Sequence, residues 1–274
     1  AGVSFVDFNR DGNLDLWVAH NETSGPIGLP DFLLKGDGQG EFTDVTDAMD
    51  LDTKDWNWLS VLNDAQAHSW AWSSVACDLN NDGSPELLAS SYGRFPNHLW
   101  RADFEDGELH YSNASIESGY AFDDRTDWTD NISARCYCAD VPEAEDCDSV
   151  PAPEDDTICD SLQAAFGDNY RWSHDYGREA FQLGGNSGTT ICADLDNDGW
   201  MDLITHEIVH WDVGSSSDPS EILHNLGDSE VRFERPGNEA TGLLRTDEYD
   251  YWDRGDMTGA VFDFDNDGWN DIYI

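Results

Sequence analysis

Short runs of β-branched and aromatic residues recur along the chain, each bounded by turns rich in Gly and Asp. They come in pairs around an acidic loop: "GVSFV" and "LWVA", "SSVAC" and "LLASS", "GTTICA" and "LITHE", "GAVF" and "IYI". After each of the first three pairs follow two more runs joined by a Gly/Asp turn, as in "DFLLKGDGQGEFTDVT". Runs of this length and composition between turn residues predict β-strands.

Four strands therefore make one unit, and the unit repeats. The acidic loops begin at Asp7, Asp78, Asp194 and Asp263, which are 71, 116 and 69 residues apart. Repeats of four short strands joined by turns predict antiparallel blades of a β-propeller, so we expect an all-β fold. The predicted segments are blade 1 (1–67), blade 2 (68–120), a Cys-containing insertion (121–183), blade 3 (184–253) and the start of blade 4 (254–274).

Each acidic loop places oxygen-bearing side chains at its first, third, fifth and ninth positions, around a Gly that allows a sharp reversal. Oxygen ligands this dense suit a hard cation, and the flexible loop favours Ca2+ over Mg2+. A backbone carbonyl at the seventh position completes the predicted shell. Up to four calcium sites are predicted, with the ligand sets Asp7, Asn9, Asp11, Asn13 and Asp15; Asp78, Asn80, Asp82, Ser84 and Glu86; Asp194, Asp196, Asp198, Trp200 and Asp202; and Asp263, Asp265, Asp267, Trp269 and Asp271.

An EF-hand loop begins in the same way, but it needs a bidentate Glu at position 12 between two helices. Position 12 here is Val18, Ala89, Thr205 or Ile274, all within predicted strands. The EF-hand interpretation therefore fails at all four loops. We expect the calcium to be structural, because each ion would neutralise three or four carboxylates and fix the turn between two strands.

The motif D-x-[DN]-x-D-G-x-x-[DE] between strands, followed by "GDGQGEFTDVT", resembles the FG-GAP/VCBS repeats of integrin α-subunit propellers. "GEFTDVTDAMDL" and "YGRFPNHLW" are more similar to cartilage-acidic-protein-like (ASPIC/UnbV-type) proteins. The resemblance covers residues 1–120 and about 184–274, and departs from the pattern at Glu86 and in the insertion. It implies seven or eight blades, so we expect this partial propeller to belong to a longer polypeptide, with completion by another chain as the alternative.

The charge balance limits the classes of partner. The chain has 58 acidic and 13 basic residues, a formal net charge of −45. Such a surface repels nucleic acid and anionic lipid heads and attracts divalent cations or basic partners. The sequence also lacks an apolar run of about 18 residues, so we expect no membrane insertion.

Four of the six cysteines, Cys136, Cys138, Cys147 and Cys159, lie in one acidic stretch. Disulfides are favoured there over a zinc site, because the spacings do not make two C-x-x-C pairs. The pairing remains open. Cys77 and Cys192 lie in apolar strands and are expected to be small buried thiols. An extracellular, cell-surface or periplasmic location is predicted.

The segment "HEIVH" at 206–210 matches the H-E-x-x-H zinc signature. That chemistry requires a helix, which brings residues i and i+4 together. In a strand His206 and His210 would be about 13 Å apart, so they could not share an ion. The remaining metal alternative is a loop-borne transition-metal site that involves His206, His210 or His20.

In an antiparallel blade the strand 2–3 and 4–1 connections lie on the face opposite the calcium loops. Residues 20–30, 91–98, 206–220 and the insertion should gather there, and long loops over a rigid scaffold are typical binding surfaces. The alternative is that Tyr92 and Trp211 pack between blades. The predicted ligand or partner residues are Tyr92, Arg94, His206, His210, Trp211 and Asp212.

The function that these features predict is adhesion, recognition or assembly, with a protein or glycan as partner and no catalysis. One alternative is a secreted hydrolase or metal-dependent enzyme with its site opposite the calcium loops. A second alternative is a structural subunit of a surface layer or extracellular filament.

Overall fold

The computed structural model describes residues 2–21, 30–55, 59–123, 125, 127–144, 147–166, 183–244 and 254–274. Within these ranges most of the regular structure is short antiparallel strands. The first sheet contains β1 (Gly2–Val6), β2 (Asp15–Ala19), β3 (Phe32–Gly36) and β4 (Phe42–Asp44). The second contains β5 (Ala71–Cys77), β6 (Glu86–Ser91), β7 (His98–Glu105) and β8 (Glu108–Asn113).

The third sheet contains β9 (Ser187–Ala193), β10 (Asp202–Val209), β11 (Glu221–Asn225) and β12 (Phe233–Glu234), and β13 (Arg254–Gly255) pairs with the end of β10. A last pair is β14 (Ala260–Phe262) and β15 (Asp271–Tyr273). The helices are α1 (Leu59–Asn63), α2 (Ile132–Asp140), α3 (Asp156–Phe166) and α4 (Asn238–Thr241), with 3-10 turns at Asp47–Met49, Cys147–Ser149 and Gly214–Ser216.

In each of the first three sheets, four consecutive strands pair in chain order and antiparallel. This confirms the predicted four-stranded antiparallel units. The acidic loops join the first two strands of each unit, so they lie at the β1–β2, β5–β6, β9–β10 and β14–β15 turns.

The first strands of successive units lie side by side, β1 against β5, β5 against β9 and β9 against β14. Their backbones approach so closely that a Cβ added at Gly2 would lie 2.6 Å from the Ser73 Cα atom. The same strands are joined covalently, because Cys77 of β5 and Cys192 of β9 form a disulfide. The prediction of free thiols at these two positions was wrong, since the two residues are 115 apart in sequence and meet only when the sheets stack.

Apolar side chains fill the two gaps between the first three sheets. Trp17 is fully buried between the first and second sheets and donates its indole N–H to the Leu88 carbonyl oxygen at 2.8 Å. The gap between the second and third sheets is closed by Leu79, Leu88, Leu99, Ala114, Tyr120, Leu203, Leu223 and Val231. Burial on both sides explains why every residue of β6 is buried, whereas β2 alternates between buried and half-buried residues.

The insertion departs from the all-β expectation, because it contains α2 and α3. The Asn131 side chain caps α2 by accepting a 2.7 Å hydrogen bond from the Ala134 N–H. Two disulfides, Cys136–Cys159 and Cys138–Cys147, hold the helical segment together. This confirms the disulfide prediction for all four cysteines and excludes the zinc alternative. None of the helices in the described ranges is long and apolar enough to cross a bilayer.

Candidate metal loops and the opposite face

The four acidic loops share one hydrogen-bond pattern. The first carboxylate accepts the backbone N–H groups of positions 5 and 6, as Asp7 does from Asp11 and Gly12 at 3.0 Å each. The equivalent bonds in the other loops measure 2.9–3.2 Å. Positions 4 and 6 both have left-handed backbone, which Gly and Asn adopt most readily. The repeated sequence motif therefore folds into one repeated loop.

The backbone N–H of the seventh residue of each loop also donates a hydrogen bond within the loop. Asn13, Ser84, Trp200 and Trp269 each donate to the carboxylate at position 5, at 2.7–2.9 Å. The structure thus places these four residues beside the carboxylates. That their carbonyl groups complete a calcium shell stays a prediction.

In the first three loops the ninth residue links the loop to the sheet. Both oxygens of the buried Asp15 accept backbone hydrogen bonds, from Phe8 at 3.2 Å and from Gly36 of β3 at 2.8 Å. Glu86 and Asp202 make the same two kinds of bond. Burial raises the pKa of all three carboxyl groups, that of Glu86 to about 8, and neighbouring loop carboxylates add to the effect. A bound cation would offset this repulsion.

The third and fourth loops are the more convergent. Carboxylate oxygens of Asp194, Asp196 and Asp202 lie within 4.8 Å of one another. Oxygens of Asp263, Asp265 and Asp271 do the same. Three converging carboxylates fit the oxygen shell of Ca2+. The donor set is therefore suited to the ion that the sequence predicts.

The first and second loops differ in charge, although their backbone is the same. Position 3 is Asn9 or Asn80, and among the described residues their acidic groups do not form so tight a triad. Lys35 Nζ lies 3.1 Å from a carboxylate oxygen of Asp11. The pKa of Asp11 is lowered by the hydrogen bond from the Asn13 N–H and by Lys35. A side-chain cation already offsets part of the charge there.

Side chains at position 4 bridge successive loops, a feature that the sequence analysis missed. The bonds are Arg10 Nη2 to the Asp82 carbonyl oxygen (2.8 Å), Asn81 Nδ2 to the Gly199 carbonyl oxygen (3.0 Å) and Asn197 Nδ2 to the Gly268 carbonyl oxygen (3.0 Å). All four loops consequently lie in chain order on one face. A polar residue recurs at position 4 of every loop, and this was the signal available in the sequence.

His224 is a further residue near the third loop that the sequence analysis missed. Its Nδ1 atom lies 3.2 Å from an Asp202 oxygen and 3.7 Å from an Asp196 oxygen. Because His224 stands on β11, the third strand of its unit, only strand pairing brings it beside the loop.

On the opposite face, the structure places the predicted binding residues in two groups. Tyr92 stacks on Trp72 with ring centroids 4.5 Å apart, and its hydroxyl lies 2.9 Å from His210 Nε2. Arg94 and Asp212 are buried. Arg94 donates to the Ser216 carbonyl oxygen at 2.7 Å, and Asp212 accepts from Ser133 Oγ at 3.2 Å. Tyr92 and His210 lie between the second and third sheets. Arg94 binds the 3-10 turn at Ser216, and Asp212 binds the insertion at Ser133.

The "HEIVH" segment is extended, as predicted. His206 lies within β10, is fully buried, and has its Nδ1 atom 3.2 Å from the Thr189 carbonyl oxygen. His210 follows the strand. Among the described residues neither histidine belongs to a close group of three metal-ligand side chains. Most of the predicted loop at 20–30 lies outside the described residues.

Buried charge collects on this face around the end of β10. Glu207, Asp218 and Glu221 are buried within reach of Arg235 and of Asp123. Ser187 Oγ lies 2.6 Å from Glu207, and burial raises the pKa of Glu207 to about 8. Burial also raises the pKa of Asp218 and Glu221, the guanidinium of Arg235 acting in the opposite direction.

A cavity of about 500 Å3 opens between the insertion and the third sheet. His210 and Trp211 line it, together with residues of α2, α3 and the segment that follows α4. Clefts of this volume between structural units are common ligand sites. Of the predicted binding residues, these two therefore share a cavity.

Comparison with known families agrees with the repeat over part of the chain. A family model described as the FG-GAP-like repeat matches residues 7–89, from the first acidic loop into β6. No curated protein matches the chain.

Proposed function

We propose that the chain is part of a calcium-stabilised β-propeller that acts outside the cytoplasm as a module for recognising a protein partner. The observation that carries the proposal is the set of four loops with one hydrogen-bond pattern on one face. The FG-GAP-like match over residues 7–89 supports the repeat.

The propeller arrangement is supported by the order of the sheets. First strands of successive units are neighbours, and the loops bridge in the same order. Apolar side chains remain exposed at both outer sheets, with Phe5 68% and Phe264 74% exposed. In a propeller these side chains would pack against further blades, whichever chain supplies them.

Calcium has a structural role in this proposal. The loop carboxylates bind backbone N–H groups of their own loop and also converge on one another. Calcium would offset their repulsion and hold β9 and β10, or β14 and β15, in register at the turn.

A location outside the cytoplasm is supported by the three disulfides. Structural disulfides persist in oxidising compartments and are rare where thiols are kept reduced. A net charge of −45 makes a basic protein surface the most favourable class of partner.

Calcium titration of the chelator-treated protein by isothermal calorimetry tests the proposal. We expect up to four sites, and Asp194→Asn should remove or weaken one of them. Asp64→Asn, an exposed carboxylate outside the loops, is the matched control and should leave the titration unchanged. Absence of calcium binding in the wild type would contradict the proposal.

A further inference from the structure

Much of the cavity lining is apolar. It includes Ile132 of α2, Ile158 of α3, Val209, Trp211 and Leu243. Aliphatic side chains predominate over aromatic ones. Flat aromatic platforms with planar polar groups are the usual surface for a sugar ring, whereas aliphatic walls suit an aliphatic side chain.

The polar groups of the cavity are mostly acceptors. Asp130, Glu154 and Asp256 line it, and Arg135 is the guanidinium among the described lining residues. Asn238 also lines it, and its Oδ1 atom is buried and accepts no hydrogen bond from the residues that the structure describes. An acceptor-rich lining of this kind selects ligands that donate hydrogen bonds and carry positive charge.

Among the described lining residues, the guanidinium of Arg135 is largely engaged already. Arg135 Nε donates to the Thr129 carbonyl oxygen at 2.7 Å, and Nη1 lies 3.8 Å from Glu154. Asp130 binds the N–H and hydroxyl of Ser215, which fixes its carboxylate at the cavity without neutralising it. The described part of the lining therefore carries more carboxylates than guanidinium groups, in keeping with the net charge of the whole chain.

We propose that this cavity binds a short basic segment of a partner protein, with an aliphatic side chain in the interior and a Lys or Arg side chain at the carboxylates. Trp211 adds a ring face for the cation. The volume of about 500 Å3 suits a few side chains, not a folded surface. The inference deepens the proposed recognition function and rests on it for the class of partner.

Three capped tripeptides test the proposal by calorimetry with the calcium-loaded protein. Acetyl-Leu-Lys-Leu-amide should bind at least about tenfold more tightly than acetyl-Leu-Glu-Leu-amide or acetyl-Ser-Lys-Ser-amide. The second peptide tests the charge, and the third tests the aliphatic contribution against general attraction to an acidic protein.

Leu244→Arg places a cation at the cavity and should weaken Leu-Lys-Leu binding by about tenfold. Leu244 is 62% exposed, so folding should be retained, which a melting curve checks. Leu226→Arg is the matched control, since Leu226 is 48% exposed and lies outside the lining.

Equal binding of all three peptides, no binding, or equal loss in both variants would overturn the cavity proposal. Tighter binding of a glycan oligomer than of Leu-Lys-Leu, lost in Leu244→Arg, would replace the basic segment by a carbohydrate. Calcium binding is measured in a separate titration. If only the peptides fail to bind, the proposed calcium-stabilised module is retained, whereas failure of both titrations would contradict the proposed function.

Discussion

The two faces of the stacked sheets handle negative charge in different ways. On the loop face the acidic side chains are mostly exposed, and in all four loops they accept the same set of hydrogen bonds from their own backbone. On the opposite face Glu207, Asp218 and Glu221 are buried, and each has a different set of partners. The loop motif determines the repeated hydrogen bonds on the first face. Contacts between the sheets and the insertion determine the individual hydrogen bonds and ion pairs on the opposite face.

The difference shows which partner each face needs. Where exposed carboxylates crowd together, a cation from solution relieves their mutual repulsion. A buried carboxylate is relieved by a proton or by a buried guanidinium, here that of Arg235. Chelators should therefore act on the loop face, whereas pH should act on the buried carboxyl groups, which include Glu207 on the opposite face and Glu86 beside the second loop.

The largest effect should follow calcium removal. We expect EGTA to lower the melting temperature by about 10 °C or more, because a single site at 100 times its Kd contributes about 2.7 kcal/mol and 1 kcal/mol shifts a chain of this size by about 2–4 °C. Calorimetry or circular dichroism measures it, and added CaCl2 should restore the original curve. An unchanged melting temperature would show that the loops fold without the ion.

A smaller effect should come from pH through Glu207. Its pKa rises on folding from the ordinary 4.5 to about 8, so the folded state holds the proton more tightly than the unfolded state. The stabilisation is fully present below pH 4.5 and is lost as pH rises toward 8, by at most about 1.4 kcal/mol per unit. Glu207→Gln, which mimics the protonated group, should flatten this slope in urea titrations.

The matched control for this pH dependence is Glu234→Gln, an exposed carboxylate on the neighbouring β12. It should keep the wild-type slope. Equal slopes in wild type and Glu207→Gln would mean that the buried carboxyl is charged in the folded state, and the contrast between the faces would then fail.

The smallest effect should be a difference in calcium affinity between loops on the same face. Asp196→Asn gives the third loop the Asn that the first and second loops carry at position 3. We expect weaker calcium binding at that one loop, and a chelated protein that is no less stable, because one repulsive carboxylate is gone. Asn9→Asp makes the reciprocal change in the first loop. Calcium titrations of both variants that match the wild type would show that position 3 does not control affinity.

Local patterns in the sequence account for the strands and the loops. Each loop lies within nine residues, so spacing alone relates Asp194 to Asp202, and backbone conformation at Gly199 completes the turn. The helices of the insertion could not be predicted in the same way, because a short acidic segment has weak hydrophobic periodicity. Its helices depend on the Asn131 cap and on two disulfides whose pairing the sequence left open.

By itself, the sequence determined the four-stranded unit, its repetition, the shared loop geometry and the excess of acidic charge, because all of these depend on neighbouring residues or on composition. Only the tertiary structure decided that Cys77 meets Cys192, that Asn81 reaches the next loop, that Glu207 is buried beside Ser187, and that Trp211 faces a cavity formed with the insertion. Each of these contacts joins residues distant in the chain or in different sheets, and no local pattern specifies which distant surface a strand will pack against.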